Sequence, residues 1–363
     1  MKQLYTTFLL AILLLLSGCK KEIAKSDYTN VIPADCTDLV AINVKEAMQL
    51  SGLYQDDKFL VQVLDIFFED SPSLSSCMKT MLLSDTLQVG INLDAPVFLF
   101  KSEKLLSPAL SFQVSNFEKL KANFASATQL GMLSKQEDNK TYLFHTIKEG
   151  NIGLAYNDGT LLVVLADTPH KLQKVKGNIA SMLKQTAEES IVSTPQYQYM
   201  SNLLGVFRFL TTPDAIPFEA KGLLQFPQNT KLNGTIIFEN GSMRMMMQDN
   251  EYDGGQINFG RPYHPKNNNE IQAIMSQIIH GKAFNIELNT QELASLLNLN
   301  VLTQFAPEEP EVQALSNIVN QVEYFIARGN THRTEIFVTL TNKSDNALKQ
   351  LILIAKSLLT NGL

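Results

Sequence analysis

Five histidines, His145, His170, His264, His280 and His332, are the side chains best suited to proton transfer or metal ligation near neutral pH, and none stands at the spacing of a zinc helix or ribbon. Each is expected at the surface or as a hydrogen-bonded core residue. Ser181-Met182-Leu183-Lys184 matches S-x-x-K and Ser344-Asp345-Asn346 matches S-D-N, two signatures of the serine penicillin-recognising enzymes. The third, K-T-G, is missing, and Ser181 falls on an amphipathic helix outside the context a nucleophile needs. G-x-S-x-G, H-E-x-x-H, a Walker loop and G-x-G-x-x-G are absent too, so no catalytic residue is assigned.

Asp249-Asn250-Glu251-Tyr252-Asp253-Gly254 opens like a calcium loop, with oxygens at the first, third and fifth positions and glycine at the sixth. Its twelfth position is Gly260 where a bidentate glutamate belongs, and a strand rather than a helix precedes it, so a solvated loop is expected. Met243, Met245 and Met247 alternate, which puts three thioethers on one face of a strand. Soft sulfur suits Cu(I), but the same residues fill irregular cores, which is the expectation here, with a Met-lined cavity for an apolar ligand as the functional variant. No metal and no cofactor is assigned. The stretch from Asp249 to Asn269 is the longest without apolar periodicity, and its Tyr252, Phe259, Arg261, Tyr263 and His264 are of the types that make ligand or partner contacts.

Cys19 points to a different chemistry. Leu16-Ser17-Gly18-Cys19 closes an apolar run from Phe8 to Leu16 that follows the single basic residue Lys2. That run is too short for a membrane span of about 20 residues but fits a secretory signal ending in small residues. Residues 1–18 therefore read as a lipoprotein signal peptide, Cys19 as the lipidated N-terminus, and residues 19–29 as a polar tether. The expected partner is the membrane, held through the N-terminal lipid, and the expected place is the cell envelope at the outer membrane, facing the periplasm or the surface. Cys36 and Cys77 then sit in an oxidising compartment, where a disulfide between them and a pair of buried thiols are both open.

Composition narrows the function classes. The chain carries 30 basic and 36 acidic residues, a net of −6, and removal of Lys2 with the signal leaves −7. Such a charge has no electrostatic pull toward nucleic acid or anionic headgroups. Hydrophobic residues make up 45% and charged residues 18%, an ordinary globular balance, and the absence of tryptophan argues against an aromatic sugar platform.

The elements that must position these residues follow from periodicity. Four strand-then-helix cassettes are predicted. They start at Asp38–Asn43, at Leu110–Val114 with a helix from Ser115 capped by Ser115 and Glu118, at Ala283–Leu288 with Asn289-Thr290-Gln291-Glu292, and at Ile336–Leu340. Thr141–Ile147, Asn151–Tyr156 and Thr160–Ala166 predict a three-stranded meander, and Thr168-Pro169 predicts a helix start with Leu172, Val175, Ile179 and Leu183 on one face. Asn240-Gly241 predicts a hairpin that sets Phe238 and Ile236 against Met243 and Met245, and a second hairpin turns near Gly329-Asn330. The expected class is α+β, built as two related lobes of antiparallel hairpins with strand-to-helix cassettes packed on the sheets. The breaker-rich residues from Thr211 to Pro217 divide the lobes, 30–212 and 213–363.

Asn30-Val31-Ile32-Pro33-Ala34-Asp35-Cys36-Thr37-Asp38-Leu39-Val40-Ala41-Ile42, after a lipobox, resembles the mature N-terminus of uncharacterised Bacteroidetes-type lipoproteins classed as a domain of unknown function. Tyr142-Leu143-Phe144, the segment Ala155 to Leu162, and Phe238-Glu239-Asn240-Gly241 extend the likeness. The resemblance implies an envelope lipoprotein of a Gram-negative anaerobe and carries over no catalytic or binding residue. The expected function is a non-enzymatic, lipid-anchored envelope protein that binds a protein partner or an apolar ligand. The alternatives are an envelope hydrolase with dispersed catalytic residues and a space-filling structural protein.

Overall fold

Alternating apolar runs become strands where one face finds cover, and the capped amphipathic segments between them supply that cover. The computed structural model describes residues 28–52, 61, 90–139, 141–213, 230–250, 257–267, 269–270, 273, 283–299, 303–304, 310–330 and 332–360. The signal peptide, Cys19, most of the tether, Cys77, Tyr252 and His280 lie outside the described residues. The class is α+β, with antiparallel pairing between neighbouring strands and seven α-helices among the described residues. The chain divides into two compact units, Met1–Asn202 and Leu203–Leu363.

In the first unit the strands are β1 (Asp38–Ile42), β2 (Val97–Ser102), β3 (Ser107–Gln113), β4 (Glu137–Asp138), β5 (Leu143–Thr146), β6 (Ile152–Tyr156) and β7 (Thr160–Leu165), with helices α1 (Val44–Ser51), α2 (Phe117–Gln129), α3 (Pro169–Met182) and α4 (Pro195–Ser201). They are ordered β1-β2-β3-β7-β6-β5-β4. The predicted meander is β5-β6-β7. All of β6 and nearly all of β7 is buried, which is why their sequences run apolar without strict alternation.

The second unit holds β8 (Phe207–Thr211), β9 (Leu232–Glu239), β10 (Ser242–Asp249), β11 (Phe284–Asn289), β12 (Val322–Gly329) and β13 (Arg333–Leu340), with α5 (Thr290–Leu296), α6 (Pro310–Gln321) and α7 (Ala347–Thr360). Its strand order is β8-β9-β10-β13-β12-β11. Each unit thus lays down three consecutive strands, inserts its last strand beside the third, and runs backward from there to the far edge.

The local signals resolve as follows. Thr168 caps α3 by accepting from Lys171 N–H, with Pro169 at the first turn. Asn289 and Glu292 form a complete capping box on α5. The helix expected from Ser115 starts one residue later, at the cap Asn116, whose side chain accepts from Lys119 N–H at 3.0 Å. Ser115 and Asn116 N–H are both spent on Gly90 O, so the chain is still turning there. On α3 the buried face is Leu172, Val175, Ile179 and Met182, because the helix closes at Leu183. The Asn240-Gly241 hairpin has the predicted register, Met243 opposite Phe238 and Met245 opposite Ile236. Gly241 takes φ +67°, and a Cβ on it would sit 2.7 Å from Lys343 Cα.

Candidate functional site

Alternation along β10 sends Met243, Met245 and Met247 to one face and Arg244, Met246 and Gln248 to the other. The methionine face continues into the apolar cluster of Phe284, Ile286, Leu288, Leu296 and Ala327, since Met245 pairs with Ile336, which packs against that cluster. The methionines therefore lie on the core side of the sheet, with Met247 buried and Met243 and Met245 half-buried.

Polar groups gather on the opposite face. Directly paired residues in antiparallel strands share a face, and one row of such pairs runs Arg328, Glu335, Met246, Thr235, Arg208 across β12, β13, β10, β9 and β8. The next row holds Ile326, Phe337, Arg244 and Ile237. Glu335 is the centre. Its side chain is only 4% exposed, and three guanidiniums reach it. Arg328 donates through Nε and Nη2 to Oε2 at 2.9 and 2.8 Å, Arg333 donates to Oε1 at close range, and Arg244 reaches Oε1 from 3.4 Å. Burial alone would raise the Glu335 pKa, but hydrogen bonds from Arg328 and the charge and hydrogen bonds of Arg333 hold it below the usual carboxylate range.

Aromatic rings brace the guanidiniums. Phe337 and Phe259 each lie 4.8 Å from Arg328 Cζ, and Phe337 also stacks 5.2 Å from Arg244. Three guanidiniums thus converge on one carboxylate. Arg244 and Arg328 stay 42% and 35% exposed, so both side chains reach solvent. Arg244 Nε is buried and has no hydrogen-bond partner among the described residues.

Of the residues singled out in the sequence, Phe259 reaches this stack, and among the described ones it is alone in doing so. Tyr263 instead extends the edge at β11, donating N–H to Asn285 O and accepting from Glu287 N–H, with its hydroxyl on Glu270. That bond raises the tyrosine pKa and lowers the glutamate's, the latter also through a hydrogen bond from Lys266 N–H. His264 lies 3.4 Å from Glu292, and Arg261 is exposed. Asp249, the first position of the calcium-like loop, is buried and bonded to His332 Nδ1 at 2.8 Å, while positions 251–254 of that loop lie outside the described residues. Ser181 Oγ donates to Asn178 O, and Ser344 bonds to Asn342, in different units. The Cys36 thiol donates to Asp38 O and Lys101 O, and burial pushes its pKa up to about 12. His145 is a hydrogen-bonded core residue, with Nδ1 near Ser134 O at 3.0 Å and Nε2 near the Tyr156 hydroxyl at 3.3 Å.

Residues 28–216 match a domain of unknown function, DUF4836, and so cover more than half of the chain. The chain belongs to the DUF4836 family. The matched segment ends before β9, so the arginine stack lies C-terminal to the DUF4836 match. Comparison with curated proteins finds no match. Among solved structures, crystal form I of TP0453 is similar at TM-score 0.42 and 10% identity, covering 93% of this chain and 100% of that one. Crystal form III gives TM-score 0.43 and 10% identity over 92% and 100%.

Arginine usage is the signal that would have found the stack. Of the 30 basic residues only five are arginine, Arg208, Arg244, Arg261, Arg328 and Arg333, and the first 207 residues contain none. Lysine supplies the general surface charge. Arginine is kept for one segment, and four of the five lie on one face of one sheet.

Proposed function

We propose that this chain is a lipid-anchored, non-enzymatic binding protein of the cell envelope, attached to the outer membrane through Cys19, which takes its ligand on the arginine face of the second unit. The Leu16–Cys19 motif supports the anchor. The observation that carries the binding reading is the braced, outward-facing pair Arg244 and Arg328. A buried carboxylate ringed by charges is weak evidence for stability, because apolar replacements of similar volume often serve as well or better. Three arginines on one glutamate, two of them partly exposed, are better accounted for by what they hold outside the fold. The two related lobes belong to the same proposal, and the matching strand orders of the units support it.

Native mass spectrometry on protein taken from its host's envelope tests the reading. A reproducible added mass that disappears in Arg244→Ala is the expected outcome, and a clean apo mass in the native chain refutes it. The hydrolase reading draws on one observation, the buried Asp249 orienting the half-buried His332, which is the geometry of a general base and its positioning carboxylate. Covalent labelling by a fluorophosphonate, lost in His332→Ala, would favour it.

A further inference from the structure

We propose that His145 makes the outer edge of the first unit's sheet acid-labile: when its imidazole takes a second proton, residues 132–138 come away from β5 while the rest of the unit stays folded. Hydrogen-bond partners fix the resting state of the ring. His145 lies on β5 against Phe124 and Thr128 of α2 and is 1% exposed. Its Nδ1 is 3.0 Å from Ser134 O, which can only accept, so Nδ1 carries the proton of the neutral ring. Nε2 is then a lone pair and accepts from the Tyr156 hydroxyl at 3.3 Å. That hydroxyl has no second partner among the described residues. The Thr128 hydroxyl, 3.5 Å from Nδ1, spends its own proton on Phe124 O or Ser134 O.

A second proton has no good place in this arrangement. It would sit on Nε2 and point at the Tyr156 oxygen, which can accept it only by leaving its own O–H without an acceptor. Tyr156 cannot answer by ionising, because burial holds its pKa at about 12. The charge acting on His145 is that of Glu137 on β4, a half-exposed carboxylate already paired with Lys176 of α3, and Phe124, Thr128 and Ser134 bring none. Burial outweighs both that charge and the Ser134 bond, so the imidazolium is favoured by any rearrangement that lets water in.

The neighbour held least firmly gives way. β6 is buried throughout and paired on both sides, and α2 buries Leu120, Phe124 and Ala127. Residues 132–138 are the outermost layer of the sheet, β4 is two exposed residues, and Leu133 is the one buried side chain of the segment. What ties the segment to β5, besides the short β4 pairing, is Ser134 N–H on Thr146 O at 2.7 Å, Thr146 N–H on Ser134 Oγ at 2.8 Å, and Lys148 N–H on Met132 O at 3.0 Å. Its departure bares the backbone groups of β5, a strand edge that is closed at neutral pH.

Hydrogen exchange on the full chain in neutral detergent, followed from about pH 7.5 to about pH 5 and corrected for the intrinsic pH dependence of amide exchange, tests the device. One proton taken up on opening raises the open fraction by up to about tenfold per pH unit below about 6.5, levelling off under the folded pKa. That loss of protection is expected at the Ser134, Thr146 and Lys148 amides, with the amides of α2, β6 and β7 unchanged. Flat protection at the edge overturns the proposal, and so does a loss spread evenly over the unit, which is destabilisation of the whole. His145→Gln keeps a donor and an acceptor but does not titrate, and it should abolish the acid-dependent loss. Persistence of the loss in that variant assigns the opening to another group. Nitrogen NMR of the histidine rings in the native chain decides independently of any variant. The Nδ1–H tautomer at neutral pH and a protonation midpoint that coincides with the edge opening are expected, whereas an Nε2–H tautomer, or a ring that titrates while the edge stays protected, overturns the proposal.

Discussion

Glu335 and His145 show opposite ways of burying a titratable group, and acid separates them. Glu335 keeps its charge because arginines hold it below the ordinary carboxylate value. A depressed carboxylate contributes stability above its unfolded pKa of about 4.5 and loses it as pH falls through the lower folded value. His145 is kept neutral: burial lowers its pKa, outweighing the hydrogen bond to Ser134 O and the charge of Glu137. The unfolded histidine takes a proton near pH 6.5 while the folded one resists, so stability falls as pH drops below about 6.5 and levels off under the folded pKa. Urea midpoints measured from pH 8 downward should therefore show an early decline that begins near pH 6.5. His145→Phe removes the early decline, and it costs about 1–3 kcal/mol at neutral pH because Tyr156 and Ser134 lose their partner. A midpoint with the same pH slope in the variant would show that another group titrates there. The sequence alone placed His145, like the other histidines, either at the surface or hydrogen-bonded in the core, whereas the arginines around Glu335 have no local pattern to betray them.

That difference is one of range, and it is sharpest among the elements. Turns and caps are written within about six residues, so Asn240-Gly241, Thr168-Pro169 and the Asn289–Glu292 box were legible as they stand. The arginine row needs β13 beside β10, two strands separated by the whole of β11, α5, α6 and β12. A period-two pattern says which residues share a face but not which strand is the neighbour. Where two local signals competed, at Ser115 and Asn116, the winner was decided by Gly90, which takes both backbone N–H groups. Gly234 on β9 shows the same dependence on a distant partner. It faces Phe209 across β8, and a Cβ there would overlap that ring and come within 2.6 Å of Met246 O. Gly234→Ala should destabilise the second unit by about 1–3 kcal/mol, as an overpacked core site does. The measurement is hydrogen exchange in β8 and β9: faster exchange confined to the second unit is expected, and unchanged protection would mean that Phe209 moves aside at no cost.

For the whole molecule, charge and anchor make separable predictions about the membrane. The net charge of −6 opposes approach to an acidic lipid surface, and among the described residues no helix is long and apolar enough to cross a membrane. Attachment as proposed then depends on acyl chains at Cys19, each contributing about 0.8 kcal/mol per buried methylene, and stable anchoring takes more than one chain. Such binding is indifferent to salt, because nothing electrostatic is being screened. The arginine face alone would behave in the opposite way, releasing steeply as salt rises. Washing envelope membranes with 1 M salt, a Debye length of about 3 Å, should leave the native protein in the pellet. Cys19→Ala should remove the acyl mass and shift the mature domain's retention onto whatever the arginine face can hold, which the same wash then strips. Salt release of the native protein would place the arginine stack, and not the lipid, in charge of attachment, and the ligand of that face would have to be sought on the membrane itself.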